Sequence, residues 1–406
     1  VGGLLTSAGT VSIGGAGTRR EFGRGLAVTA GTFTQSAGFL VVSGPITNAG
    51  ALSFFAARLS GPLTNTGTYA GVAGTVTLSA SATITGFTGG NSFTHLTVPA
   101  GVVATAPSDL GITGTLDVDG TLVVLAQLAL GTGFDSTAGT IRFAGAANQD
   151  IPVPPGAGTY HDVVIANAIS ADATLTGAIV VHDVTIEAGA ELSGAIHMMQ
   201  VTGDFTCDGL FDLDDSHVVF TGMPSTIRGK EVLRLNDLSI GGTLRIDAPE
   251  AGSTIEVGGN FENNGTFDAS SPRPTTVIFT GPTCQVQGAT TTTFPHLTIL
   301  RGSVLENLAF GDAIGVRGTF TIDGTFTSGN DEVRFGGTDG RISSLVPASF
   351  FRLRVDSNAR LVLDAGDDLT VTDGATGAFV QSGGTLELAG AAVLRLGNGG
   401  TVGRLF

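Results

Sequence analysis

One pattern recurs four times along the chain with identical internal offsets, and it restricts the fold more than any other feature. Val257, Gly259, Phe261, Gly265 and Phe267 form one copy. Ile112, Gly114, Leu116, Gly120 and Leu122 form a second, Val201, Gly203, Phe205, Gly209 and Phe211 a third, and Val316, Gly318, Phe320, Gly324 and Phe326 a fourth. Apolar residues two apart lie on one face of a strand, and the second glycine of each copy marks a turn between two short strands. The pattern therefore predicts a structural repeat.

Two further landmarks keep the same order around it. An I/V-x-F-x-G element follows each copy, at Ile141-Phe143-Gly145, Val218-Phe220-Gly222, Val277-Phe279-Gly281 and Val333-Phe335-Gly337. An L-x-V strand with an aromatic or aliphatic lead-in follows that, as in Phe93-Leu96-Val98, Tyr160-Val163-Ile165, Leu235-Leu238-Ile240, Phe294-Leu297-Ile299 and Phe350-Leu353-Val355. The spacing from one anchor to the next, Leu96 to Val163, Leu238, Leu297 and Leu353, is a long imperfect period. Such a period is too long for one solenoid coil and matches about three coils of roughly 18–20 residues. The expected fold is all-β, a single-stranded parallel β-helix (β-solenoid) with about three coils per repeat of roughly 56–75 residues. The longest unit, from Val163 to Leu238, is expected to carry an extra coil around Ile179–Ile186.

Three stretches differ in regularity. Residues 1–92 read as irregular N-terminal coils, 93–355 as the regular array and 356–406 as C-terminal coils with an open edge. In the first, Gly44-Pro45-Ile46-Thr47-Asn48 is echoed one coil later by Gly61-Pro62-Leu63-Thr64-Asn65, so Asn48 and Asn65 are expected to stack in adjacent coils. Ser225–Leu235 is the stretch with most helical character, and it still reads as a coil with a loop. Pro-rich pieces at Ile151–Pro155 and Ser271–Pro274 are expected as surface excursions, since proline cannot donate to an internal ladder.

Composition narrows the function. Hydrophobic residues make up 42% and charged residues 13%, which argues for a well-buried chain with a Thr, Ser and Asn exterior. The net charge of −16, with Lys230 the only lysine, speaks against nucleic acid, which needs a basic face. No apolar run reaches membrane-spanning length, so direct membrane insertion is not expected. Cys207 and Cys284 occupy non-equivalent repeat positions, which points to buried small residues, with one disulfide as the alternative.

Carboxylates cluster at Asp117/Asp119, Asp208/Asp212/Asp214/Asp215 and Asp364/Asp367/Asp368. Converging carboxylates suit acid–base work or a calcium bridge. Asp119, Asp208 and Asp323, however, share a repeat position filled by Asn264 in the other copy, and a repeated turn residue is expected to be structural. His95 and His296 share the position before the L-x-V leucine with Asp162, Asp237 and Arg352, so that position is expected to face solvent. No histidine pair at ligand spacing stands out, and the expectation is no catalytic residue, no metal and no cofactor. Thr290–Thr293 and other T-x-T pairs suggest a threonine ladder for ice or crystalline polysaccharide, but they do not recur at one coil spacing.

The V-x-G-x-F-x-x-x-G-x-F and I/V-x-F-x-G elements resemble those of bacterial extracellular parallel β-helix proteins, such as autotransporter passenger domains and filamentous adhesins. The resemblance is architectural. It implies a right-handed helix at the cell surface or outside the cell, acting as a rod, stalk or fibre. Both chain ends read as open strand edges, which template further pairing. The leading expectation is therefore a filament subunit of about 20 coils and about 95 Å, at about 4.8 Å per coil, polymerising head to tail with itself. Val1, Leu4 and Leu5 would meet Leu405 and Phe406 at the junction. The alternatives are an adhesin or carbohydrate-binding stalk segment of a longer surface protein, with glycans or cell-surface components as partners, and an extracellular polysaccharide lyase or hydrolase.

Overall fold

A computed structural model describes residues 3–71, 74–212, 217–229, 232–247, 254–269, 275–308, 314–373, 379–381 and 383–397. The protein is an all-β parallel solenoid of about 17 turns, fewer than expected because the coils are longer than the sequence reading assumes. It divides into two compact units, Val1–Ser193 and Gly194–Phe406. The changes in sequence regularity at 92 and 355 fall inside them.

In the first unit Leu5–Ser7, Thr10–Ile13 and Arg19–Phe22 complete one turn, and Leu26–Val28 returns to pair with Leu5–Ser7, so each turn contributes three strands. The Ile46–Asn48 strand pairs with Leu63–Asn65 in the register of the sequence echo. Asn48 and Asn65 are buried, and Asn48 Nδ2 donates to Asn65 Oδ1 at 2.6 Å while Asn65 Nδ2 donates to the Gly86 carbonyl at 2.9 Å. A buried amide ladder of this kind satisfies polar atoms that would otherwise cost stability. The extra coil is present: within Ile179–Ile186, residues Val181 to Ile186 pair with Tyr160–Ile165.

In the second unit, the same three-strand turn lets the sequence repeat be counted in strands. From Asn260–Asn263 the chain runs through Thr266–Asp268, Thr276–Phe279, Cys284–Gln287, Thr292–Phe294, His296–Ile299, Val304–Asn307 and Ile314–Val316 before the next motif strand, Thr319–Ile322. Among the described residues the repeat is thus eight strands. Each strand pairs with the third one after it, as Cys284–Gln287 does with Val304–Asn307 and Thr276–Phe279 with His296–Ile299. Eight strands at three per turn make two and two-thirds turns, which sharpens the expected three coils. Successive motif copies consequently land on different faces: Phe205, Phe261 and Phe320 each occupy a different one.

The interior follows from alternation. Val257, Phe261, Val277, Phe279, Leu297, Ile299, Val333, Phe335, Leu353 and Val355 are fully buried, with polar residues between them facing outward. The second motif glycine sits where one coil crosses the backbone of its neighbour. A Cβ on Gly265 would stand 1.9 Å from the Gly242 carbonyl oxygen, and one on Gly324 would stand 2.3 Å from those of Leu300 and Ser303. Phe267 closes the same corner from inside at 8% exposure. Ser225–Leu235 contains two strands, Ser225–Gly229 and Leu233–Leu235, where the sequence reads as a coil with a loop. After Ile151 the Pro-rich piece leaves the ladder, and Tyr160 Oη donates back to the Pro152 carbonyl at 2.6 Å. Ser271–Pro274 lies outside the described residues.

Candidate functional site

The repeat position before each L-x-V leucine does more than face solvent, which corrects the sequence reading. His95, Asp237 and His296 are half-buried, and each accepts a hydrogen bond from the backbone of the next coil. Thr115 N–H donates to His95 Nδ1 at 3.0 Å, Asn260 N–H to Asp237 Oδ1 at 2.6 Å and Thr319 N–H to His296 Nδ1 at 2.9 Å. Each donor directly follows the first motif glycine. That glycine leaves room for the acceptor: a Cβ on Gly114, Gly259 or Gly318 would lie 2.7, 2.4 or 2.5 Å from His95 Cε1, Asp237 Oδ1 or His296 Cε1. A neutral imidazole and a carboxylate are interchangeable here because both present a lone pair. Burial holds the His296 imidazole below its ordinary value, consistent with the neutral acceptor form. Arg352 uses the position differently: its Nε donates to Asp373 Oδ2 at 2.6 Å.

The described carboxylates are placed differently in the two units. In the first unit Asp117 lies across the ladder from Asp135. Desolvation first, then the charges of Asp119 and Asp135, raise the Asp117 carboxyl above its usual range. In the second, Asp364 pairs with Arg341 at 3.2 Å and Asp368 with Arg395 at 3.0 Å. Asp367, between them, is buried and accepts from the backbone N–H groups of Ser344 and Asp364. Burial raises its carboxyl. Asp364, Asp367 and Asp368 thus serve turn and ion-pair roles. Asp214 and Asp215 lie outside the described residues, as does the side chain of Asp212.

On one face of the second unit, Ser239 lies opposite Glu262 in the following coil and diagonal to His217 in the preceding one. Ser239 Oγ stands 2.7 Å from His217 Nε2 and donates to Glu262 Oε2 at 3.0 Å. A hydroxyl carries one proton, so the imidazole is the donor in this chain, opposite in polarity to a base-activated serine. Cys207 and Cys284 are buried thiols, and burial raises the Cys284 thiol. Cys284 Sγ lies 3.4 Å from the Gly258 carbonyl oxygen.

Another face of that unit carries an open groove of about 510 Å³, lined by Met223, Pro224, Thr243, Arg245, Thr266, Phe267, Asp268 and Arg317. Arg245 and Asp268 face each other across one coil step at 3.6 Å. Of the expected assembly residues, Leu4 is 55% exposed and Leu5 lies in the first ladder opposite Leu26, whereas Val1, Leu405 and Phe406 lie outside the described residues.

The first unit brings together one group that the sequence reading did not pair. His161 and His182 stand one above the other with ring centroids 4.8 Å apart and planes 16° from parallel. The readable signal is the echo of His161-Asp162-Val163-Val164-Ile165 in His182-Asp183-Val184-Thr185-Ile186, which the assumption of a shorter coil obscures. Compared with known protein families, curated proteins and solved structures, the chain matches none.

Proposed function

We propose that the chain is a non-enzymatic structural element of an extracellular or cell-surface fibre or stalk. One observation carries this reading: the repeat keeps its interior and corner positions while its outward residues change. Phe261 and Phe320, Gly265 and Gly324, and Phe294 and Phe350 recur, whereas the outward residues between them differ, Glu262 against Thr321 and Ile278 against Arg334. Repetition that maintains a stack and leaves its exterior free is what a spacer requires. In fibre form, copies would join by continuing the parallel ladder between them, the partner being a second copy of the chain. Electron microscopy of the purified chain over a concentration series tests this. Unbranched fibres that lengthen with concentration support the homopolymer, and dispersed short particles at every concentration overturn it and leave the stalk form.

The groove at Arg245 favours a second reading, a glycan-binding stalk segment. Its threonine hydroxyls, paired Arg245 and Asp268 and apolar Met223, Pro224 and Phe267 offer a sugar both polar partners and an apolar surface. A glycan-array signal that disappears on Arg245→Ala supports it, and an array without signal removes it.

A further inference from the structure

We propose that His161, His182 and Asp162 form a binding site for one divalent transition-metal cation of the zinc, nickel or copper type, bridging two successive coils. Copies of the eight-strand repeat fall on different faces, but the extra coil at Ile179–Ile186 echoes the coil directly before it and pairs with it in register, Asp162 opposite Asp183 and Tyr160 opposite Val181. Equivalent outward residues therefore stack on one another, His on His and Asp on Asp. An echo within a single turn builds what the long repeat cannot.

The geometry supplies a mixed nitrogen and oxygen donor set. Ligand atoms of His161, Asp162 and His182 all lie within 4.8 Å of one another. Bonds of about 2.0–2.2 Å to a shared ion place ligand atoms about 3–3.5 Å apart, so partly exposed side chains need to close by less than about 2 Å. His182 has an orienting carboxylate outside the ligand set, with His182 Nδ1 3.2 Å from Asp183 Oδ1, whereas the 2.7 Å approach of His161 Nδ1 to Asp162 Oδ1 is a contact between two of the ligands themselves. A carboxylate beside one ring nitrogen keeps the proton there and leaves the other nitrogen's lone pair for a metal. Thr140 Oγ1 donates to Asp162 Oδ2 at 3.2 Å and steadies that carboxylate from the preceding coil. Two imidazoles with a carboxylate select a borderline cation over calcium or magnesium, which prefer all-oxygen sites.

Isothermal titration of the full chain with Zn²⁺, and separately with Ca²⁺, tests the site. The expected result is one Zn²⁺ per chain, no Ca²⁺ binding under the same conditions, and at least a tenfold loss of Zn²⁺ affinity in a His161→Ala/His182→Ala variant whose circular dichroism is unchanged. His217→Ala, which removes a histidine in the second unit, should leave the titration as it was. If the double variant does not fold, His182→Asn takes its place, because that side chain is 47% exposed. Absence of Zn²⁺ binding, equal binding by the double variant, or loss on His217→Ala would each overturn the assignment.

Discussion

In the first unit the aromatic rings run as a chain from coil to coil, whereas in the second they gather into separate knots. Phe22, Phe33, Phe54 and Tyr69 follow one another at centroid distances of 6.1–6.4 Å, and Tyr69, Phe87 and Phe93 continue the line at 5.3 Å or less. In the second unit Phe261, Phe267 and Phe294 form one knot and Phe320, Phe326 and Phe350 another. Each knot is one repeat, two motif phenylalanines joined by the aromatic lead-in of the next L-x-V strand. The exteriors differ too. Cross-coil ion pairs such as Arg228–Asp204, Arg234–Glu256, Arg334–Asp356 and Arg360–Glu387 lace the second unit. Among the described residues of the first, Arg142–Glu187 is the cross-coil arginine pair and buried asparagines are stacked instead. A parallel ladder fixes coil spacing but leaves both the interior stacking scheme and the surface chemistry open.

The largest effects should come from the rings. Phe54→Ala and Phe294→Ala should each cost about 3–5 kcal/mol. Hydrogen exchange should show the loss spreading along several coils for Phe54 and confined to one knot for Phe294, and the same spread for both would break the distinction. Next, Gly318→Leu would displace His296 and strand the Thr319 N–H, at about 1–3 kcal/mol by denaturant titration. Asn65→Leu in the first unit should cost about 1–2 kcal/mol, since the Asn48 amide and the Gly86 carbonyl each lose a buried partner.

A smaller effect is pH-dependent. The folded His296 value lies below the ordinary one of about 6.5, so its contribution to stability is complete above about 6.5 and is lost as pH falls toward the folded value. His296→Asn should flatten that part of the stability curve, and an unchanged curve would remove the neutral-acceptor role. Smallest of all, 1 M salt should lower the stability of the second unit by a few tenths of a kcal/mol per exposed ion pair while leaving the asparagine-stacked coils unaffected.

Strand alternation, the corner glycine and the Asn48–Asn65 stack were legible in the chain because they depend on residues within one coil or one clear echo. The partner of the first motif glycine was not. His95, Asp237 and His296 look unrelated as side chains, and their shared role as acceptors appears only when the next coil is laid over them. The rotation of the motif around three faces was hidden for a similar reason: period and offsets do not reveal how many strands complete a turn. The His161–His182 stack needed the length of one particular coil, the one that carries Tyr160 onto Val181, rather than an average.

The mismatch between eight strands and a three-strand turn bears on how such a chain can lengthen. Tandem duplication of one repeat turns every later residue by one face while preserving the interior register strand by strand. New copies therefore extend the stack without laying identical side chains above one another, and stripes of identical side chains are what allow neighbouring sheets to zip together laterally. Growth in length is thereby uncoupled from growth in width.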